Sequence, residues 1–218
     1  MAPASKEGLR IIAPFLVVWF VLLLLNTTWA TVLAVILSAL ILFTIYFFRD
    51  PERELPEDEH LIVAAADGLV VGIEEVDEKE FKQGRMKRVA IFLSVFDVHV
   101  NRMPVSGRIK DTIYTKGKFH DVRHPDASAA NEAKAWLIES SRGHVVVRQI
   151  AGLIARRIVG WAHVGETLER GDRFGMIRFG SRTEIYLPLD CEILVKLGDR
   201  VAGASTPVAR WAKPAAGV

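Results

Sequence analysis

The chain has 218 residues, with 28 basic and 26 acidic side chains and a net charge of +2. That length suits one domain with an attached segment, and nothing in the near-neutral balance points to nucleic acid, so no nucleic-acid partner is expected. The single cysteine, Cys191, excludes an internal disulfide and a thiolate metal cluster; within LDCEILVKL it reads as a buried structural thiol.

The first fifth of the chain is unlike the rest. No charged residue occurs from Ile11 to Phe48. Two apolar stretches, Ile11–Leu25 and Trp29–Phe48, flank Asn26-Thr27-Thr28. A membrane span takes roughly 20 residues; the second stretch meets that, and the first does so by borrowing flanking residues. The pattern predicts a transmembrane hairpin over 11–48, with a single span or a re-entrant hairpin as the alternatives. Lys6 and Arg10 precede it, Arg49 and Arg53 follow it, and the turn is uncharged. By the positive-inside rule both ends, residues 1–10 included, face the cytoplasm. The stretch is too long for the h-region of a secretory signal, and no small-residue cleavage site closes it.

Residues 49–60 (RDPERELPEDEH) form a charged, proline-containing linker. The remainder, 61–218, reads as one domain of short strands. Leu61–Ala66 ends at the turn signal Asp67-Gly68, and Leu69–Val76 follows. Arg88–Val95 reads as a buried strand. Val145–Ile150, Gly152–Val159, Thr183–Leu187 and Glu192–Val195 read as further strands. Helical periodicity marks Ala127–Ser140. The fold class is therefore mainly β with few helices, a flattened β-barrel or sandwich behind a membrane hairpin. GETLERGDRFG (165–175) and VKLGDRVAGAS (195–205) each carry Gly-Asp-Arg at a tight turn. This near-repeat resembles the flattened barrels of lipoyl and sugar-permease domains.

Chemistry concentrates in GMIRFGSRTEIYLP (175–188), where Gly180-Ser181 lies between β-type segments. Glycine tolerates a strained turn, and the Ser181 hydroxyl can attack the Gly180 carbonyl. Most Gly-Ser pairs are ordinary turns, so the surroundings decide. Asp67 sits in AADG, where an Asp-Gly turn is the plain alternative. His99 sits in FDVHVNRMP, with Asp97 on the same strand face to orient it. His163, in GWAHVGE, is a spare candidate base. His120 and His124, four apart in KFHDVRHPD, lack partners to complete a metal site, so both read as loop residues and no metal is expected. Arg102, Arg108, Lys116 and Lys118 can meet a lipid phosphate.

Six blocks, in order, carry a resemblance over nearly the whole chain: FFRDPERE (47–54), AAADGLV (64–70), SVFDVHVNRMPVSG (94–107), VRQIAGLIARRIV (147–159), VGETLERGDRFGMIRFGSRTEIYLP (164–188) and VKLGDRVAGAST (195–206). Together they resemble the phosphatidylserine decarboxylases in their short bacterial and archaeal form. The resemblance implies a lyase that converts phosphatidylserine to phosphatidylethanolamine and carbon dioxide. It implies self-cleavage at Gly180-Ser181 into 1–180 and 181–218, which stay together as a heterodimer, with a higher homo-oligomer left open. Ser181 becomes a covalent pyruvoyl cofactor that forms a Schiff base with the substrate amine. Asp67 matches the family's aspartate that assists self-cleavage. His99 matches the first histidine of its DxH…MP block, acting on substrate as proton donor or carboxylate-orienting group. The family's second histidine falls on Arg102 here, and a guanidinium cannot be a base. The base for self-cleavage is left to His99, Asp67 or His163, and Arg102 becomes a candidate substrate contact. The enzyme is expected at the inner cell membrane, its catalytic domain on the cytoplasmic side. Two other readings stay open: a non-catalytic, membrane-tethered barrel module for assembly or carrier docking, and a Ser181 hydrolase, which would lack the GxSxG elbow.

Overall fold

The computed structural model describes residues 2–122, 127–153, 157–178 and 180–212. The chain divides into two units, Met1–Pro51 and Glu52–Val218.

The first unit is a helical hairpin of α1 (Pro3–Leu24) and α2 (Thr28–Phe47). Both helices are long and apolar enough to cross a membrane, with mean hydropathies of 2.1 and 2.5 in their most apolar windows. Helix α1 starts at Pro3, ahead of the expected Ile11. Proline at a first helical turn loses no hydrogen bond, and Arg10 pairs with Glu7 at 2.9 Å on one face. The charged residues thus join the helix, which supplies the length its apolar part lacks. Three hydroxyls are satisfied inside the hairpin. Ser38 donates to the Ala34 carbonyl and accepts from the Trp19 indole, each at 2.8 Å. Thr31 and Thr44 donate to the Thr27 and Leu40 carbonyls. Internal satisfaction of this kind is what a lipid-facing segment requires.

Among its described residues the second unit is built of strands apart from one helical turn. Its elements are β1 (Leu61–Val63), β2 (Gly68–Glu78), β3 (Gly84–Leu93), β4 (Val100–Arg102), β5 (Gly107–Thr115), α3 (Ala127–Ala130), β6 (Ala133–Ser140) and β7 (Gly143–Ala151). Then follow β8 (Ile158–Gly160), β9 (Thr167–Leu168), β10 (Arg173–Ile177), β11 (Ser181–Leu187), β12 (Glu192–Ile193), β13 (Arg200–Val201) and β14 (Pro207–Arg210). A curled eight-stranded sheet runs in the order β13-β2-β3-β11-β7-β6-β5-β9. Two three-stranded sheets, β1-β14-β12 and β4-β10-β8, complete the unit. The core gathers Val89, Ile91 and Leu93 of β3, Trp136 and Ile138 of β6, and Ile185 and Leu187 of β11.

The expected helix over Ala127–Ser140 is overturned. Only Ala127–Ala130 is helical, and Ala133–Ser140 is strand, paired with β5 on one side and β7 on the other. A central strand covered on both faces loses the polar alternation of a half-buried one; residues 135–138 are all buried, and such a run imitates helical periodicity. The expected strand over Gly152–Val159 shrinks to Ile158–Gly160, and residues 154–156 lie outside those described.

The Gly-Asp-Arg near-repeat is a true structural unit. The Asp172 carboxylate accepts from the Glu169 N–H, and that of Asp199 from the Lys196 N–H, each at 2.8 Å. Gly171 donates to Met103, which donates back to Asp172; Gly198 donates to Val70, which donates back to Asp199. Both glycines take left-handed φ, +91° and +89°. A third copy, invisible as Gly-Asp-Arg, uses Gly165-Glu166: Gly165 donates to Ile109, Ile109 to Glu166, and the Glu166 carboxylate accepts from the His163 N–H.

Candidate active site

Ser181 opens β11, between Leu93 of β3 and Ala151 of β7. It is fully buried, and its Oγ has no hydrogen-bond partner among the described residues. Buried hydroxyls are normally bonded, so an orphan marks strain or chemistry. Gly180 before it takes φ +67°, a left-handed conformation that favours glycine. Phe179 lies outside the described residues.

His99 meets this turn. The Gly180 N–H donates to His99 Nε2 at 3.2 Å. The other ring nitrogen, Nδ1, lies 2.9 Å from the Asp97 carbonyl oxygen. A carbonyl only accepts, so Nδ1 carries the proton and Nε2 presents a lone pair to Gly180. The imidazole is fully buried. Asp97 thus orients His99 through its main chain, which corrects the expectation of a shared strand face: neither residue lies in a strand. The Asp97 carboxylate instead folds back on the Ser94 N–H and hydroxyl at 2.8 and 2.7 Å, closing a turn, and its other oxygen takes Arg200 at 3.0 Å.

Behind Ser181 on the same strand face, Thr183 starts a buried polar chain that sequence reasoning missed. Asn101 donates to Thr183 Oγ1 at 3.1 Å, Gln149 to Asn101 at 2.7 Å, and the Trp136 indole to Gln149 at 2.8 Å. The signal was an Asn and a Gln placed within apolar strands, positions where polar groups persist only when paired.

Asp67 stands at the turn into β2. Arg53 grips both its oxygens, at 2.9 and 2.7 Å, and the Gly203 N–H donates to Oδ1 at 2.8 Å. Among the described residues no hydrogen bond joins Asp67 to Ser181 or His99. Arg102 is buried and donates to the Gly171 carbonyl at 3.1 Å. His163 and His120 are exposed, while His124 lies outside the described residues.

The opposite face of β11 carries a second cluster. Glu184 is fully buried. It accepts from Ser128 and from the Tyr186 hydroxyl, each at 2.7 Å, and ion-pairs with Arg182 at 3.0 Å and Arg88 at 3.6 Å. Burial, and then the Glu184 charge, push the Tyr186 phenol well above its ordinary range.

The site thus holds a buried serine whose hydroxyl is unpaired among the described residues, a left-handed glycine before it, and a ring nitrogen against that glycine's N–H. Sequence comparisons define the class as decarboxylase. The profile described as phosphatidylserine decarboxylase matches residues 40–209, and the chain belongs to that family. It is similar to a protein named phosphatidylserine decarboxylase proenzyme from Symbiobacterium thermophilum, 48% identical over 84% of each chain. Proteins of the same name from Geobacter metallireducens and Citrifermentans bemidjiense are 44% and 46% identical, over 94% of each chain.

Proposed function

We propose that the chain is a self-processing, pyruvoyl-dependent enzyme that decarboxylates phosphatidylserine to phosphatidylethanolamine. The observation that carries this reading is the Gly180-Ser181 unit: a buried hydroxyl without a partner among the described residues, behind a glycine held in a left-handed turn. In the first step Ser181 Oγ bonds to the Gly180 carbonyl carbon, and the Gly180–Ser181 C–N bond breaks. The hydroxyl proton ends on the freed nitrogen, and an ester replaces the amide. Loss of the Ser181 α-proton then expels the Gly180 carboxylate, leaving a dehydroalanine. Water replaces its nitrogen, which departs as ammonia, and residue 181 is left as a pyruvoyl group. What such a group supplies is an electrophilic carbonyl that takes up an amine and the electron pair left by departing carbon dioxide.

His99 is the base of this reading, because its Nε2 lone pair already faces the Gly180 main chain. Asp67, gripped by Arg53 at the turn into β2, is the second group this reading assigns to self-cleavage. Arg102 holds the Gly171 turn. Residues 1–180 and 181–218 remain together after cleavage. The hairpin anchors the enzyme in the inner membrane, with its catalytic domain on the cytoplasmic side, where the flanking basic residues favour it. A substrate confined to the bilayer suits such an anchor.

Intact-mass spectrometry tests the reading. The expected result is two fragments split between Gly180 and Ser181, the smaller lacking a free amino terminus and gaining mass with a carbonyl-trapping hydrazine. A chain that stays whole while turning over phosphatidylserine would sink it.

A further inference from the structure

Gly152 follows the last residue of β7, beside the start of β11. A Cβ placed on Gly152 would lie 2.3 Å from the Gly180 carbonyl oxygen and 3.1 Å from its carbon. Real Cβ contacts essentially never fall below 3.0 Å, and the obstacle is backbone, not a side chain that can swing away. Gly152 is not among the positive-φ glycines, so its own conformation is open to alanine. Its neighbour alone requires the glycine. Gly180 is the reverse case: its φ is +67°, yet a Cβ there would meet nothing closer than Val95 at 4.0 Å. One glycine supplies backbone freedom and the other supplies close approach. The Gly180 N–H is held by His99, its carbonyl lies against the bare Cα of Gly152, and the Ser181 hydroxyl beside them is left without a partner among the described residues.

We infer that Gly152 is a positioning residue for self-cleavage, its bare Cα letting the Gly180 carbonyl sit where Ser181 Oγ can bond to it. The inference rests on the proposed self-processing. With alanine at 152 the carbonyl must shift by an appreciable part of an ångström, and displacements of about 1 Å slow reactions on the order of a hundredfold. The affected step is the first one, conversion of the Gly180–Ser181 amide to the ester.

The test is a time course of full-length chain made by cell-free synthesis into lipid nanodiscs and followed by intact mass. Wild type, Gly152→Ala and Gly107→Ala are compared, each with and without hydroxylamine, which cleaves an ester but spares an amide. Gly107 is the structural control, since a Cβ there would lie 2.7 Å from the Glu139 carbonyl oxygen, on β5, away from β11. The expected result is that wild type and Gly107→Ala split, while Gly152→Ala splits at least about tenfold more slowly. The slow variant should keep a cooperative melting transition and contain no hydroxylamine-labile ester. Splitting of Gly152→Ala at the wild-type rate overturns the inference and leaves the proposed function standing. Equal slowing in Gly107→Ala, an accumulated ester, or a Gly152→Ala chain that fails to fold also overturns it, because the conflict must be confined to one carbonyl. A wild-type chain that never splits overturns the self-processing and the inference together.

Discussion

The two faces of β11 treat polar groups in opposite ways. On one face Ser181 is buried with its hydroxyl unpaired among the described residues, and Thr183 behind it is tied into the Asn101–Gln149–Trp136 chain. On the other face Glu184 is equally buried, yet two hydroxyls and two guanidiniums surround it. Leaving a buried group unpaired costs on the order of 1–3 kcal/mol, and a buried carboxylate left alone would cost far more. The fold meets that demand at the Glu184 carboxylate, while the Ser181 hydroxyl meets no partner among the described residues. The difference teaches that one strand can ring a buried carboxylate with hydroxyls and cations on one face and leave a buried hydroxyl bare on the other, as the proposed self-cleavage requires of Ser181.

Breaking the face that carries the proposed chemistry should have the largest effect. Ser181→Ala should abolish both splitting and decarboxylation, read by intact mass and by phosphatidylethanolamine formation, because no hydroxyl remains to attack. His99→Ala should lower processing or turnover by about a hundredfold or more; full turnover in this variant would remove His99 from the chemistry. On the carboxylate face, Glu184→Ala strands two arginines and should cost about 3–5 kcal/mol of stability by denaturant titration. The folded fraction should still split, and loss of splitting without loss of stability would erase the contrast between the faces. Asn101→Ala should cost about 1–3 kcal/mol by the same titration. The smallest effect belongs to Cys191. Burial pushes its thiol up to about 11, and only the thiolate reacts, so it should resist iodoacetamide at pH 8 until the protein unfolds.

The hairpin, most of the strands and the Gly180-Ser181 unit were legible because each rests on local signals: apolar length, alternation, and turn chemistry. Strand β6 was not, since burial on both faces removes the alternation that distinguishes a strand from a helix. The register that sets Gly152 against Gly180 was equally hidden, because it joins residues far apart in sequence through a sheet order no local pattern encodes. His99 could be singled out within its block, but its tautomer depends on a main-chain carbonyl that only the turn at Ser94–Asp97 brings near. Arg53 read as a membrane-flanking charge, and its ion pair with Asp67 came from the folded linker.

Strand β11 has one further consequence under the proposed cleavage. It lies between β3 and β7, while β13 joins β2 and β14 joins β1. The short product would therefore be threaded through the long one, its first strand zipped on both edges. Before the cut, unfolding is a unimolecular event that the chain can reverse alone. After it, refolding becomes a second-order encounter between two polypeptides that drift apart on dilution. The mature enzyme would then persist only as long as it never fully opens, its lifetime set by the barrier to unfolding and not by the depth of the folded state.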